Sequence, residues 1–225
     1  MKRILKFWKL LFIPASVLFI GVVFTGAYFS SNVSVSGVSF QTGHWASPTP
    51  DPSPAPGRVT ISEILYHASN SNDTGLEWIE LYNGGGSSVD MTGYDLYADG
   101  SGHYVFPSFN LAAGAIVVVH SNTSGTNNGT NLYTGPMGSN MSNIQGSVAL
   151  FNTSTTKTSA TIVDYVEYGA GGQNWQPAAI GAGIWTAGNF VPVVATGHSI
   201  ELINKNSDTN SVSDWQDEAL PTPGV

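Results

Sequence analysis

From residue 58 onward, the strongest hydrophobic period along the chain is two. "VTISEILY" is rich in β-branched residues, and "EWIELYN" places Ile79 and Leu81 on one face of an extended segment, with Trp78, Glu80 and Tyr82 on the other. "HYVFP", "AIVVVH", "SVALFN", "TIVDYVEYG" and "HSIELI" continue the series. Between them stand "NGGGSS", "ADGSG", "SNTSGTNNGTN" and "GAGGQN", whose Gly, Asn, Asp and Ser are turn and loop formers. Short strands separated by turn signals, with little helical pattern, predict an antiparallel sandwich or barrel. "MGSNMSNIQG" is the stretch that admits a short helical turn.

"GLEWIELYN" holds two glutamates, and the alternation places them differently. Glu77 shares a side with Ile79 and Leu81 but stands at the strand's start, within reach of the rim. Glu80 lies opposite, between two aromatic rings. Paired glycosidase carboxylates face each other across a cleft at roughly 5–10 Å. Residues three apart on a strand point to opposite faces, so Glu77 and Glu80 do not form such a pair. The expectation is a strand with one wet face.

The pattern upstream is different. "MKRILKFWKLLFIPASVLFIGVVFTGA" has a basic start, an apolar run from Leu10 to Phe24, and small residues at Gly26 and Ala27. This is the layout of a secretory signal over residues 1–27, with Thr25-Gly26-Ala27 as the cleavage sequence. The alternative is an uncleaved anchor, for which the apolar run is shorter than the roughly twenty residues that span a bilayer comfortably. Residues 28–45 form a short exported segment. Val33, Val35, Val38 and Phe40 lie there on two alternating runs broken by Gly37, which admits a short strand able to dock on a sheet edge. The blander reading is a stretch that merely trails the cleavage site. "ASPTPDPSPAPG", residues 46–57, is extended and semi-rigid because of its prolines and serves as a spacer. The domain proper runs over 58–225.

Composition narrows the function. The chain has no cysteine, which excludes a disulfide framework, a Cys-ligated metal and a Cys nucleophile. The five histidines are scattered, with no HExxH pair. Four of the seven basic residues precede the apolar run, so from Tyr28 onward three bases face fifteen acids, 3 − 15 = −12. Such a body repels phosphate backbones, and direct nucleic-acid binding is not expected.

Two resemblances add to this reading. Tyr28-Phe29-Ser30 and Phe40-Gln41-Thr42-Gly43 resemble the start of exported camelysin-like and biofilm-matrix-fibre proteins, which a dedicated signal peptidase processes. Only the processing signal is implied, since the match covers about twenty residues. Over 58–225 the chain resembles the lamin tail domain in its bacterial exported form. The motifs are Ile61-Ser62-Glu63-Ile64, then "EWIELYN" from Glu77 to Asn83, then Val89-Asp90-Met91-Thr92-Gly93-Tyr94-Asp95-Leu96. "FPSFNLAAGAIVVV", "VDYVEYG" and the closing "SIELINKNSDTNSVSDWQDEALPTPG" follow in order. The resemblance implies an all-β, immunoglobulin-like antiparallel β-sandwich. One departure is Leu202, where the pattern usually has an arginine that pairs with a strand carboxylate.

The motif residues also have readings of their own. Asn83 ends its strand where its amide can bond nearby backbone, and Gly93 and Gly114 stand where turns often need positive φ. Trp and Tyr in a sandwich are usually core or core-rim residues.

Neither a G-x-S-x-G elbow nor a P-loop is present, and nothing in the spacing joins Asp164, His198 or His120 to a serine. No catalytic, cofactor-binding or metal-ligating residue is assigned, no cofactor is expected, and the chain is not expected to be an enzyme. The function expected is that of a non-catalytic exported or cell-surface module. It would act in protein or glycan contact, tethering or extracellular structure, and touch the membrane through its N-terminal segment if uncleaved. The alternatives are an accessory partner of a secreted hydrolase or nuclease, and a calcium-dependent binding module using "NSNDTGLE" or "NSDTNSVSDWQDE". The side-chain oxygens in those loops also organise turns, and sequons such as Asn122-Thr123-Ser124 and Asn128-Gly129-Thr130 arise by chance in Asn/Ser/Thr-rich loops.

Overall fold

The computed structural model describes Ser34–Val35, Val38–Ser39 and residues 58–225 other than 70, 100 and 101. The signal or anchor, the cleavage sequence and the proline spacer lie outside these residues. Two compact units divide the chain, residues 1–49 and 50–225. In the first, β1 (Ser34–Val35) and β2 (Val38–Ser39) pair antiparallel with each other. Among the described residues no helix is long and apolar enough to cross a membrane.

The second unit carries β3 (Val59–Leu65), β4 (Trp78–Asn83), β5 (Val89–Asp90), β6 (Asp95–Ala98), β7 (Gly102–Val105), β8 (Asn110–Leu111), β9 (Ile116–His120), β10 (Asn131–Tyr133), β11 (Gly146–Phe151), β12 (Ile162–Tyr168), α1 (Gln176–Ala182), β13 (Ser199–Leu202) and β14 (Trp215–Glu218). Six strands form one sheet in the order β10-β9-β4-β3-β13-β14, and four form another in the order β12-β11-β6-β7. The pairing is antiparallel throughout both sheets except for β9 and β10, which run parallel. The expected all-β immunoglobulin-like sandwich is therefore the fold. Ile61, Ile64, Ile79, Leu81 and Val119 of the larger sheet meet Leu96, Val148, Leu150 and Val166 of the smaller one in one buried core. Each such side chain contributes about 1.5–3 kcal/mol on burial.

Ile61 and Ile64 are three apart, which a regular strand would point to opposite faces. The register shows how both reach the core: Ile61 pairs with Leu81 and Glu63 with Glu80, leaving Ser62 as a bulge. The spacing of "I-S-E-I" is a bulge written in sequence. Asn83 closes β4 as expected, donating from Nδ2 to the Ser87, Leu111 and Ala112 carbonyls while its Oδ1 accepts from the Gly85 N–H. Gly93 and Gly114 have φ of 79° and 69°, also as expected.

Three expectations are corrected. Residues 137–146 hold no helical turn; two carboxylates and a tyrosine pin that loop instead. The helix that does form, α1, follows "GAGGQN" and contains Pro177, Ala178 and Ala179. Most consequential, β4 has no wet face: Trp78 and Glu80 are as buried as Ile79 and Leu81. A covering segment lies on the outer face of each sheet, residues 219–225 on the larger and 170–191 on the smaller, and buried carboxylates hold both covers down.

Candidate functional site

On the larger sheet Glu63 and Glu80 sit side by side across β3 and β4, both 0% exposed. Glu80 accepts from Ser62 Oγ at 2.7 Å and from the Gly224 N–H at 2.7 Å, and Lys205 Nζ lies 3.2 Å from it. Glu63 accepts from Ser199 Oγ at 2.5 Å, and from the N–H and hydroxyl of Thr222 at 3.0 and 3.2 Å. Burial pushes the Glu63 carboxyl up, against the pull of these donors, and the neighbouring Glu80 and Glu201 add to the rise. The arginine expected at 202 is absent, and Leu202 is buried there. The cation comes instead from Lys205, three residues on, which also bonds the Val225 carbonyl. Both carboxylates are thus engaged in holding the C-terminal tail, since a buried charge is tolerated only when it is paired and hydrogen-bonded.

At the start of β4, Glu77 is also fully buried and does not reach the solvent rim. Its Oε2 accepts from the Met141 N–H at 3.0 Å, Asp99 accepts from the Ser142 N–H at 2.8 Å, and Tyr168 Oη donates to the Ser142 carbonyl at 2.8 Å. Burial first, then the Asp73 and Asp99 charges, push the Glu77 carboxyl up to about 8, against the Met141 bond. Its Oε1 and the buried Asn143 Oδ1 have no hydrogen-bond partner. Asn143 lines a polar cavity of ≈ 390 Å³ with Asp73, Asn72, Ser71 and Asn140.

The structure separates the groups that a triad would need. Asp164 lies at the corner between the sheets, where its Oδ2 accepts from the Ile61 N–H at 2.6 Å and its Oδ1 from the Tyr165 N–H. Burial, reinforced by Asp208, pushes its carboxyl up to about 8 despite Arg58 and these two bonds. His198 pairs with Asp217 at 2.7 Å, and His120 bonds Asn131 and stacks on Tyr133. The acids of "NSDTNSVSDWQDE" also organise local structure. Asp208 takes Arg58 and the Asn210 N–H, while Asp214 caps the 3₁₀ turn Val212–Asp214 by accepting from Thr209 and Ser211. In "NSNDTGLE", Asp73 accepts from the Ser69 N–H and Asn72 from the Thr74 N–H. Among the described residues no three His, Asp or Glu side chains form a metal-ligand group. Asn122 of the first sequon spends its amide on Ser139, Asn140 and Met137.

The smaller sheet's outer face carries the groups that sequence reasoning did not single out. Glu167 gathers Tyr165 Oη, the Gln173 N–H, Gln176 Nε2 and Trp185 Nε1, which fastens the segment around α1 to β12. On the same face Asp95, 1% exposed, sits between His103 Nδ1 at 2.9 Å and Lys157 Nζ at 3.0 Å. The Lys157 ammonium lies 5.6 and 5.7 Å from the Tyr97 and Phe151 ring centres. Trp175 meets both rings edge-on at 4.9 and 5.2 Å. Its backbone is left-handed, φ 68°, and its buried Nε1–H has no acceptor. A left-handed bulky residue costs roughly 1–3 kcal/mol. A cavity of ≈ 530 Å³ opens here, lined by Trp175, Gln173, Asn174, Pro177 and Lys157. The only trace of this site in the sequence is the glycine-rich "GAGGQNW", which reads as an ordinary loop.

The lamin tail domain family model matches residues 52–170, which is 119 of the 225 residues. No curated protein matches the chain. The matched span contains β3 to β12, the Ser62 bulge, the Asn83 turn and the corner carboxylate Asp164, while β13 and β14 extend the larger sheet beyond it. Both the ordered motifs and the sandwich they build agree with that match, and the chain belongs to the lamin tail domain family.

Proposed function

We propose that this chain is an exported, non-catalytic sandwich that presents a surface for extracellular protein or glycan contact on its proline spacer, either released or held at the membrane by its N-terminal segment. The observation that carries the reading is the Trp175 cavity. A strained aromatic residue, an indole N–H without an acceptor and the amides of Gln173 and Asn174 meet there. Backbone strain concentrates where a binding surface needs a fixed geometry, and an aromatic face flanked by amides suits a sugar ring. Glu63 and Glu80 support the non-catalytic side of the reading, because their oxygens are occupied by strand hydroxyls, Lys205 and the C-terminal tail. The test is a glycan array probed with the protein and with Trp175→Ala. Binding lost in the variant supports contact at this cavity. Absence of binding by the wild-type protein leaves the tethering or structural role as the function.

A second reading, calcium-dependent binding, is favoured by one observation: the unpartnered buried oxygens of Glu77 and Asn143 beside Asp73 and Asp99. Calcium accepts carboxylate and amide oxygens at flexible geometry. A melting temperature that rises with calcium in the wild-type chain and not in Glu77→Gln supports it. An unchanged melting temperature in excess calcium and in chelator removes it.

A further inference from the structure

We propose that Lys157 and Asp95 join in an intramolecular amide bond, a modification that welds the β11–β12 loop to β6. Lys157 Nζ lies 3.0 Å from Asp95 Oδ2, with the two side chains 10% and 1% exposed. That separation lies within the near-attack range of roughly 3–3.5 Å at which held groups react as one molecule. Asp95 Oδ2 is buried and has no aligned hydrogen bond, so the ammonium approaches it without the geometry of a settled donor–acceptor pair. The other carboxyl oxygen is held by His103 Nδ1 at 2.9 Å, and the imidazole is itself fixed by stacking on Tyr97, ring centres 5.1 Å apart and 14° from parallel.

Aromatic rings and one carbonyl fix the position of the amine. Lys157 Nζ stands between the Tyr97 and Phe151 rings, and Trp175 closes over both. Nζ donates a hydrogen bond to the Thr153 carbonyl at 3.0 Å, which holds the nitrogen in place. In the proposed step Nζ first passes a proton to Oδ2 across this contact. The neutral Nζ lone pair then attacks Cγ while His103 stabilises the negative charge that grows on Oδ1. The Cγ–Oδ2 bond breaks, Oδ2 leaves as water with the proton it received and the second amine proton, and an amide remains between Nζ and Cγ. No oxidant, metal or cofactor enters the balance.

The product would explain the layout of the site. A loop rich in Ser and Thr, 153–160, meets the sheet through this contact, beside the Trp175 cavity. A covalent tie at that point would make the cavity wall resist unfolding without a cysteine in the chain.

The test is intact-mass spectrometry of the full chain, with its start defined by N-terminal sequencing, followed by a tryptic digest. The expected wild-type mass is lighter than the sequence requires by one water, about 18 Da. Trypsin is expected not to cut after Lys157, so Asp95 and Lys157 should stay in one looped peptide, residues 59–205, lighter by about 18 Da. Lys157→Ala and Asp95→Ala should have the full mass, a readout that does not depend on their folding. A wild-type chain of full mass that is cut after Lys157 overturns the proposal, as does a lost water that persists in Lys157→Ala. His103→Ala should leave a fraction of chains unlinked, and complete linkage in that variant would remove the histidine from the step.

Discussion

Single residues in this protein matter most where a buried polar group has a complete set of partners. Asn83 satisfies three carbonyls and one N–H at the end of β4. Asn83→Ala leaves these groups buried without partners, at about 1–3 kcal/mol for each group that water does not reach. We expect a loss of about 2–4 kcal/mol in urea unfolding, with an unchanged slope. Glu77 presents the opposite case. Its carboxyl is raised from 4.5 to about 8, so the folded state holds the proton more tightly than the unfolded chain. Its favourable contribution is complete below about pH 4.5 and is lost as the pH rises through about 8. Stability should therefore fall from pH 5 to pH 9 in the metal-free wild-type protein, and Glu77→Gln should flatten that fall. A wild-type profile that rises over this range would contradict the assignment.

At the scale of elements, the two covering segments depend on carboxylates that point away from the core. The C-terminal tail closes over Glu63 and Glu80 through Thr222 and Gly224. Removing residues 219–225 uncovers both carboxylates and strips Glu80 of one of its donors. The truncated chain should melt clearly lower than the full one, and Glu80→Gln should lower the melting temperature less in the truncated chain than in the full-length protein. Equal melting of full and truncated chains would show that the tail is not part of the fold. Gly169, at the end of β12, is another such joint. At φ 77° a Cβ there would lie 1.9 Å from the Ile144 carbonyl. Gly169→Ala should therefore displace the loop that Glu77 and Asp99 hold, and destabilise by more than the roughly 1 kcal/mol of an ordinary glycine substitution. Thermal unfolding measures this directly.

At the scale of the molecule, several raised carboxyls act together. Burial lifts Glu63, Glu77, Asp99, Asp164 and Asp208 above their ordinary range. All contribute with the same sign, which makes the protein most stable in mild acid and progressively weaker toward pH 8–9. Hydrogen exchange at two pH values should locate the loss at loop 137–145 and at the corner where Asp164 meets Ile61.

The strands, their turns and the family were legible in the sequence because alternation, turn chemistry and ordered motifs are local signals. β3, β4, β7, β9, β11, β12 and β13 could be read from period two, and the roles of Asn83, Gly93 and Gly114 from residue type. β10 was hidden in an Asn-rich loop because a three-residue strand has too little alternation to register. The Ser62 bulge was present as a spacing of three between Ile61 and Ile64, but only the register with β4 shows which residue is displaced. Alternation assigns a side chain to a face and says nothing about what later covers that face. For that reason Glu80 read as solvated, and only the return of the tail decided that it is buried. The meeting of Asp95 with Lys157, and of Trp175 with Tyr97 and Phe151, was likewise decided by tertiary structure. These partners lie far apart along the chain, and no local pattern encodes contact between loops that close on one another through space.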